Sequence, residues 1–126
     1  MNRKNINASP PRESQLYSDA VTANGVVYTT GQMPVDDEWN LLSDDFEVQA
    51  RFVFERLRRV LDAAGSSPGH ILRLTIFLTD IDDVASLSDL RREFLGDNRP
   101  ASVIVQVPRF GTPGMRIEAE AVALVR

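Results

Sequence analysis

The C-terminal residues 115–125 alternate between two kinds of side chain, and this alternation constrains the fold more than any other feature. A period of two is typical of a β-strand with one face in the core, because successive side chains of a strand point to opposite faces. The apolar face consists of Met115, Ile117, Ala119, Ala121 and Ala123. The opposite face carries Glu118 and Glu120. The sequence therefore predicts a strand whose outer face presents two carboxylates.

Two amphipathic helices are predicted upstream of this strand. Apolar residues recur at steps of three and four along one stretch, which is the spacing of a single helix face. They are Phe46, Ala50, Val53, Leu57, Val60 or Leu61, and Ala64. Ser43 is the expected N-cap and Gly65 the expected C-terminal stop. A second, shorter helix is expected to begin at Asp82 or Asp83 and to end at Gly96.

Four further runs predict strands, which gives about five strands in all. The runs 15–21 and 26–30 flank Asn24 and Gly25, which tolerate positive φ, so they predict an opening hairpin. In the run 71–79 the residues expected to face the helices are Leu72, Leu74, Ile76 and Leu78. In the run 102–107 the expected core face is Val103, Val105 and Val107. Residues 1–14 are expected to be irregular, and 1–126 to form one domain.

Two helices can cover only one face of such a sheet. The other face still carries apolar side chains, namely Phe77, Ile104, Val122 and Leu124. A solvated face is one interpretation. Self-association that covers this face is the favoured interpretation.

The last two strands are expected to form an antiparallel hairpin around residues 108–114. A symmetric register pairs Ser102 with Glu120, Ile104 with Glu118, and Gln106 with Arg116. All six side chains would then lie on the face away from the helices, where a second subunit would enclose them in a partly desolvated polar pocket. The alternative is that the two carboxylates simply form ion pairs with Arg116, Arg73 or an arginine of a neighbouring subunit.

Composition limits the chemistry of any such pocket. The chain has no Cys and a single His, His70. This excludes thiolate nucleophiles, most metal sites and His-based relays, so no metal site is expected. A net charge of −4 gives nucleic-acid binding no overall driving force. Glycine-rich nucleotide loops and the common metalloprotease and serine-hydrolase motifs do not occur. His70 and the helix arginines, including Arg91, are expected to be solvated.

No segment predicts an association with membranes. The N-terminal residues lack an apolar leader, and no stretch approaches the roughly 20 apolar residues that span a bilayer. The expected location is the cytoplasm.

Five segments resemble the RidA/YjgF/YER057c/UK114 family in order and spacing, from about residue 17 to the C-terminus. Thr-Thr-Gly-Gln-Met-Pro at 29–34 is similar to the family's strand-end signature Thr-Ser-Gly-Gln-Ile-Pro. The other segments are Gln-Ala at 49–50, Ala-Ala-Gly at 63–65, Thr-Ile-Phe-Leu at 75–78 and Ile-Glu-Ala-Glu-Ala-Val-Ala at 117–123. The resemblance implies a chorismate-mutase-like α+β subunit with a mixed sheet and two helices on one face. It also implies a homotrimer whose sheets enclose a barrel, with three ligand pockets between neighbouring subunits.

The resemblance implies an activity as well. Archetypal members hydrolyse reactive enamines or imines, such as 2-aminoacrylate, to a 2-keto acid and ammonia. They need no cofactor, because the imine carbon is already electrophilic. Matched position by position, Glu120 corresponds to the acid that orients the water, Thr30 and Gly31 to the Ser/Thr-Gly pair of the site, and Tyr17 to a tyrosine at the pocket edge.

The sequence departs from the family pattern at the substrate anchor. Ser102 stands where the archetypal strand begins with an arginine that binds the substrate carboxylate, and Ile104 stands where a cysteine often follows. Ser88 and Arg91 stand where the second helix often carries Asn and an aromatic residue. Losing the bidentate guanidinium weakens transition-state binding of a carboxylate. The expected pocket is lined by Tyr17, Ser88, Ser102 and Ile104, and efficient 2-aminoacrylate deamination is not expected.

Three functions remain open at this stage. The first is hydrolysis of a neutral or differently anchored imine or enamine, with Glu120 positioning the water. The second is a non-catalytic trimer that binds a small metabolite in a regulatory or structural role. The third is RNA cleavage, which the acidic balance and the single histidine disfavour. Arg99, Arg109 and Arg116 are candidates to replace the missing charge, and only Arg116 lies on the right face in the expected register.

Overall fold

The structure, a computed structural model, describes residues 2–126 as one six-stranded mixed sheet with two α-helices. The strands are β1 Lys4–Ile6, β2 Ala20–Ala23, β3 Val26–Thr29, β4 Ile71–Leu78, β5 Ala101–Gln106 and β6 Ile117–Leu124. The helices are α1 Phe46–Ala63 and α2 Val84–Leu95. Short 3-10 turns at Pro68–His70 and Ile81–Asp83 precede β4 and α2. The strand order across the sheet is β1-β2-β3-β6-β4-β5.

The expected hairpin between the last two strands is wrong. β5 pairs only with β4, in parallel, because α2 crosses over between them and places β5 at the outer edge of the sheet. β6 instead lies between β3 and β4 and is antiparallel to both. Its buried face is formed by alanines, which let α1 pack closely on the middle of the sheet. Ser102 and Glu120 are therefore not paired.

The parallel register also reverses the two faces of β5. Ser102 lies opposite Leu74 and Ile104 opposite Ile76, so both face the helices, and Ile104 packs against the core. Val103 and Val105 face the other way and are 43% and 38% exposed. The prediction that they belong to the core is wrong. The helices cover the other face of the sheet, and no helix or strand packs on the face that carries Val103 and Val105 in the described residues.

Helix α1 begins and packs close to prediction. Its N-cap is Asp45 rather than Ser43, and the Asp45 carboxylate accepts a hydrogen bond from the Val48 N–H. The predicted apolar stripe is buried as expected. Gln49 is buried within this stripe because its amide donates to the Ser43 and Gly114 carbonyls and accepts from the Arg116 N–H. These bonds tie α1 to the loop before β6.

Three local details differ from the sequence-based expectation. Lys4–Ile6 forms an edge strand within the segment expected to be irregular. The opening hairpin is confirmed, with positive φ at its turn, but its first strand starts at Ala20 rather than at residue 15. A bulge in β4 places Leu72 in solvent and gives the buried position to Ile71.

Both helices lie on one face of the sheet, as predicted, and the opposite face is open. We call this second side the open face. Its exposed or half-buried apolar residues are Val21, Tyr28, Phe77, Val103, Val105, Val122 and Leu124. So large an apolar surface is typical of an interaction site. Within residues 2–126, neither helix has the length and apolar character needed to cross a bilayer.

Candidate active site

Glu118 and Glu120 lie side by side in the middle of the open face. On β4, Phe77 is opposite Glu118 and Thr75 is opposite Glu120. Both carboxylates are half-buried. The six ion pairs found in residues 2–126 include neither of them. The ion-pair interpretation of these acids therefore finds no support within one chain.

A bulge after β3 brings Gly31 against the acids. Three residues, 29–31, lie opposite only two on β6, because Tyr28 pairs with Val122 whereas Gln32 pairs with Ala119. The Thr29 hydroxyl accepts the Ala121 N–H that the bulge leaves without a backbone partner, at 3.0 Å. Gln32 then rejoins β6 through two hydrogen bonds with Ala119, of 2.7 and 3.2 Å.

Gly31 leaves room for the Glu118 side chain. A Cβ atom there would overlap the Glu118 carboxylate in its present position, so a larger residue would displace that side chain. Thr30 is held in place from the other side, since its N–H donates to the Asp19 carbonyl and its hydroxyl donates to the Ser18 carbonyl. The Thr-Gly pair thus forms a wall beside Glu118.

Glu118 has an unusual proton affinity. Burial raises the pKa of the Glu118 carboxyl above its ordinary value of 4.5, and the neighbouring charge of Glu120 raises it further. Glu118 therefore retains a proton at a pH where a solvated glutamate has lost it. Two adjacent carboxylates, one of which has a raised pKa, can support proton transfer.

Glu118→Gln is expected to stabilise the protein at neutral pH. A raised folded-state pKa means that the acid favours folding below pH 4.5 and that this contribution is lost as the pH rises through the folded-state pKa. The neutral amide of Gln removes the cost of burying the ionised carboxylate at higher pH. We therefore expect the free energy of unfolding to rise by at most about 1 kcal/mol, because solvent screens the half-buried charge. Thermal melts of both proteins from pH 4 to pH 8 measure it.

The same substitution at the exposed Glu13 is the control, and we expect no pH-dependent difference there. A stability difference between Glu118→Gln and the parent protein that stays constant across the pH range would show that charge burial is not its cause.

Tyr17 lies close to the Thr-Gly wall, as the sequence predicted. It lines a small cleft of about 40 Å³, open to solvent, together with Thr30 and Gly31. Trp39 and Arg56 complete the cleft. Three of the predicted site residues are thus brought together, and the aromatic and cationic neighbours come from the following loop and from α1. We call Tyr17, Thr30, Gly31, Glu118 and Glu120 the acid cluster.

The remaining predicted residues form a second group, which we call the edge cluster. It consists of Ser88, Arg91, Ser102 and Ile104, on α2 and the edge strand β5. The Arg91 Nη2 donates to the Ser102 hydroxyl at 3.3 Å. The prediction that Arg91 is solvated is wrong, since this side chain is half-buried. Strand β4 separates the edge cluster from β6, and Ser102 and Glu120 face opposite sides of the sheet.

The three arginines proposed as substitutes for the missing charge do not reach the acids. The Arg116 Nη2 donates to both carboxylate oxygens of Asp83, at 2.9 Å each, and the guanidinium lies over the Phe46 ring. Its expected pairing with Gln106 is wrong, because the Gln106 side chain accepts the Ile81 N–H instead. Arg99 donates to the carbonyls at the end of α2, and Arg109 lies in the loop before β6.

The sequence predicts that Glu118 lies in a polar pocket with Glu120, but it does not indicate the contact of Glu118 with Gly31, which depends on the bulge after β3. Nor does it indicate the role of Arg91, because the contact of Arg91 with Ser102 depends on the packing of α2 over β5. No group of three or more His, Asp or Glu side chains in the described part of the chain is arranged to hold a metal ion.

The family assignment follows from comparison with known proteins. The family model described as endoribonuclease L-PSP matches residues 7–125. This chain belongs to that family, also called RidA/YjgF. The match extends over nearly the whole chain, so it includes both the acid cluster and the edge cluster.

Two relatives of this chain are named as deaminases. A reactive intermediate deaminase named TdcF from Escherichia coli, described as putative, is 32% identical over 86% of this chain and 85% of its own. The 2-iminobutanoate/2-iminopropanoate deaminase of Salmonella typhimurium is 32% identical over 87% of this chain and 88% of its own. The mitochondrial protein mmf2 of Schizosaccharomyces pombe is 34% identical over 98% of both chains.

Solved structures confirm the expected fold class. A Rid-family protein, YyfA, from Yersinia pestis superposes with a TM-score of 0.87 at 31% identity, covering 98% of this chain and 99% of that one. Escherichia coli TdcF with bound serine superposes with a TM-score of 0.82 at 30% identity, covering 96% and 98%. The α+β subunit with two helices on one face of a mixed sheet is therefore shared across the RidA/YjgF family.

Proposed function

We propose that this protein is a hydrolase of small reactive imines or enamines, a deaminase whose active site is assembled between copies of the chain. The observation that carries the proposal is the half-buried pair Glu118 and Glu120, with Glu118 against Gly31, on a face that residues 2–126 leave uncovered. The deaminase names of its relatives in Escherichia coli and Salmonella support the same activity.

Assembly into a homotrimer is part of the proposal. The open face is apolar around the two acids, so association there removes apolar surface from water. Within one chain the acid cluster and the edge cluster lie on opposite sides of the sheet. In a closed ring, the edge cluster of one copy reaches the acid cluster of the next, and each pocket contains residues from two chains.

The acid pair suits the chemistry of imine hydrolysis. Glu120 accepts a proton from water as the water oxygen bonds to the imine carbon, and the imine nitrogen receives a proton, which gives a carbinolamine. The C–N bond then breaks as the hydroxyl proton leaves and the nitrogen is protonated again. The products are a carbonyl compound and ammonia. Glu118 is the proton donor in this proposal, because its raised pKa keeps the carboxyl protonated to a higher pH than that of a solvated glutamate. An enamine first takes a proton at carbon to become the imine.

The remaining site residues hold the substrate in this proposal. Thr30 and Gly31 form the fixed wall beside the acids, and Tyr17 closes the pocket edge. Ser88, Ser102 and Ile104 contribute the wall from the neighbouring copy. Because Ser102 provides a hydroxyl in place of a charged fork, the substrate is anchored differently from 2-aminoacrylate in archetypal members.

Two other functions fit the site less well. RNA cleavage, which the family model's name suggests, requires neutralisation of phosphates, but the centre of the open face carries two carboxylates and the chain has a net charge of −4. A trimer that only binds a small metabolite has the same pocket without turnover. A kinetic assay separates it from the enzyme. The cytoplasmic location stays a prediction.

The test is an assay of purified protein with imines generated in situ, 2-imino acids by an amino acid oxidase and neutral imines by an amine oxidase. Loss of the imine is followed by trapping with a hydrazide. We expect faster loss of at least one imine class than in buffer. Ligand-dependent thermal shifts without turnover would favour the binding trimer, and the absence of both effects would contradict the proposal.

A further inference from the structure

We propose that Arg91 binds the carboxylate of an anionic substrate in this pocket. The inference rests on the proposed function and specifies its substrate class as small imines that carry a carboxylate, such as 2-imino acids. The seat for the anion is formed by Arg91 together with the hydroxyls of Ser102 and Ser88.

The first argument is the unsatisfied state of the guanidinium. Arg91 has five N–H donors. Within residues 2–126 one of them is used, in the 3.3 Å hydrogen bond to Ser102, and the buried Nε has no partner at all. Arg91 takes part in none of the six ion pairs of the described chain. A half-buried cation without a counter-ion is costly, so a group that supplies negative charge would bind here with a large gain.

The second argument is the geometry of the neighbouring hydroxyls. Ser102 accepts a hydrogen bond from Arg91, which leaves the Ser102 O–H available as a donor. Ser88 precedes Arg91 by three residues and lies on the same face of α2. One planar guanidinium with two hydroxyl donors matches the two oxygens of a carboxylate. A neutral ligand would leave the charge unpaired.

The acids nearest to Arg91 in sequence do not satisfy it. Asp89 pairs with Arg92 at 3.9 Å, and Glu93 pairs with Arg51 at 3.4 Å. The competing occupant is therefore a carboxylate of the acid cluster of a second copy. We favour the substrate because such a pair would neutralise the acids that the hydrolysis requires.

The position of the charge also explains the serine at 102. The expected arginine is absent from β5, but the Arg91 guanidinium reaches the Ser102 side chain from α2. The positive charge beside Ser102 therefore comes from helix α2 rather than from β5. We therefore expect the substrate to be differently anchored but still anionic.

Binding of pyruvate, a 2-keto acid that the enzyme does not consume, tests the inference without turnover. By titration calorimetry, Arg91→Gln is expected to weaken pyruvate binding by about 10- to 100-fold, and Arg91→Lys less, since lysine keeps the charge without the fork. Arg92→Gln changes an exposed neighbour and is the matched control, with an unchanged affinity. Thermal melts and light scattering verify that each variant is folded and assembled.

A charge relocation and a substrate comparison complete the experiment. Adding Ser102→Arg to Arg91→Gln is expected to restore part of the pyruvate affinity. In the imine assay, Arg91→Gln is expected to raise KM for 2-imino acids and to leave the KM for a neutral imine unchanged.

Several results would overturn the inference. One is that the wild-type protein does not bind pyruvate up to millimolar concentrations. Another is that Arg91→Gln binds pyruvate with the same affinity as the wild type. If Arg91→Gln also loses its assembly while its pyruvate affinity is unchanged, Arg91 belongs to an ion pair between copies. If the protein hydrolyses imines but binds pyruvate equally well without Arg91, only this inference is wrong. If pyruvate binding depends on Arg91 but no imine is turned over, only the proposed hydrolase activity is wrong.

Discussion

Glu120→Gln is expected to lower kcat for imine hydrolysis by about 10²- to 10⁴-fold, the usual contribution of a positioned acid–base group. The amide preserves the size of the side chain and its hydrogen-bonding capacity, but it cannot accept a proton from water. Binding of pyruvate is expected to change far less than kcat, because the proposed anion seat lies in the edge cluster. Steady-state kinetics on the best imine substrate measures the effect.

Glu55→Gln is the control for this experiment. Glu55 is an exposed carboxylate on α1 whose ion pair with Arg58 spans 3.7 Å, so its loss is expected to leave kcat unchanged. Full activity of Glu120→Gln would contradict the assignment of Glu120 as the group that positions water. An equal loss in both variants would point to a general effect on the fold.

Val103→Asp is expected to convert the oligomer to monomers and to abolish activity with it. Val103 lies on the open face and is 43% exposed in one chain. Association would bury the new carboxylate in an apolar contact, at a cost of at least about 2–5 kcal/mol per interface. In the proposed trimer the acid cluster and the edge cluster of one pocket belong to different chains, so activity is expected to be lost with the assembly. Light scattering coupled to gel filtration measures the mass.

Val48→Asp is the matched control. Val48 is 50% exposed on the outer surface of α1, away from the open face. We expect this variant to keep both the oligomer and the activity. A Val103→Asp protein that remains assembled, or a monomer that retains full activity, would show that the pocket is complete within one chain.

The sequence was most informative where one element is determined by its own residues. The apolar stripe of α1 and the alternating alanines of β6 are buried as expected. A hydrophobic periodicity of 3.6 in a helix or 2 in a strand indicates which face of the element is buried. The Thr-Thr-Gly segment at 29–31 and the two acids of β6 were identified from the sequence. Their proximity follows from the bulge at the end of β3, which brings Gly31 against Glu118.

The sequence was least informative about β5. Its apolar alternation is genuine, but Val103 and Val105 lie on the open face, which residues 2–126 leave uncovered. A strand with apolar residues on both sides gives no local signal for the side that faces the helices. Because the sequence predicts the wrong partner strand for β5, it also predicts the wrong side of the sheet for Ser102 and Ile104.

The chain's own sequence thus determined its two helices, the apolar faces of α1 and β6, and the residue types available for chemistry, because these depend on local spacing and side-chain character. The tertiary structure decided which strands are neighbours, which face each β5 side chain occupies, and that Arg91 reaches Ser102. These features depend on contacts between residues distant in sequence, and local periodicity contains no information about them.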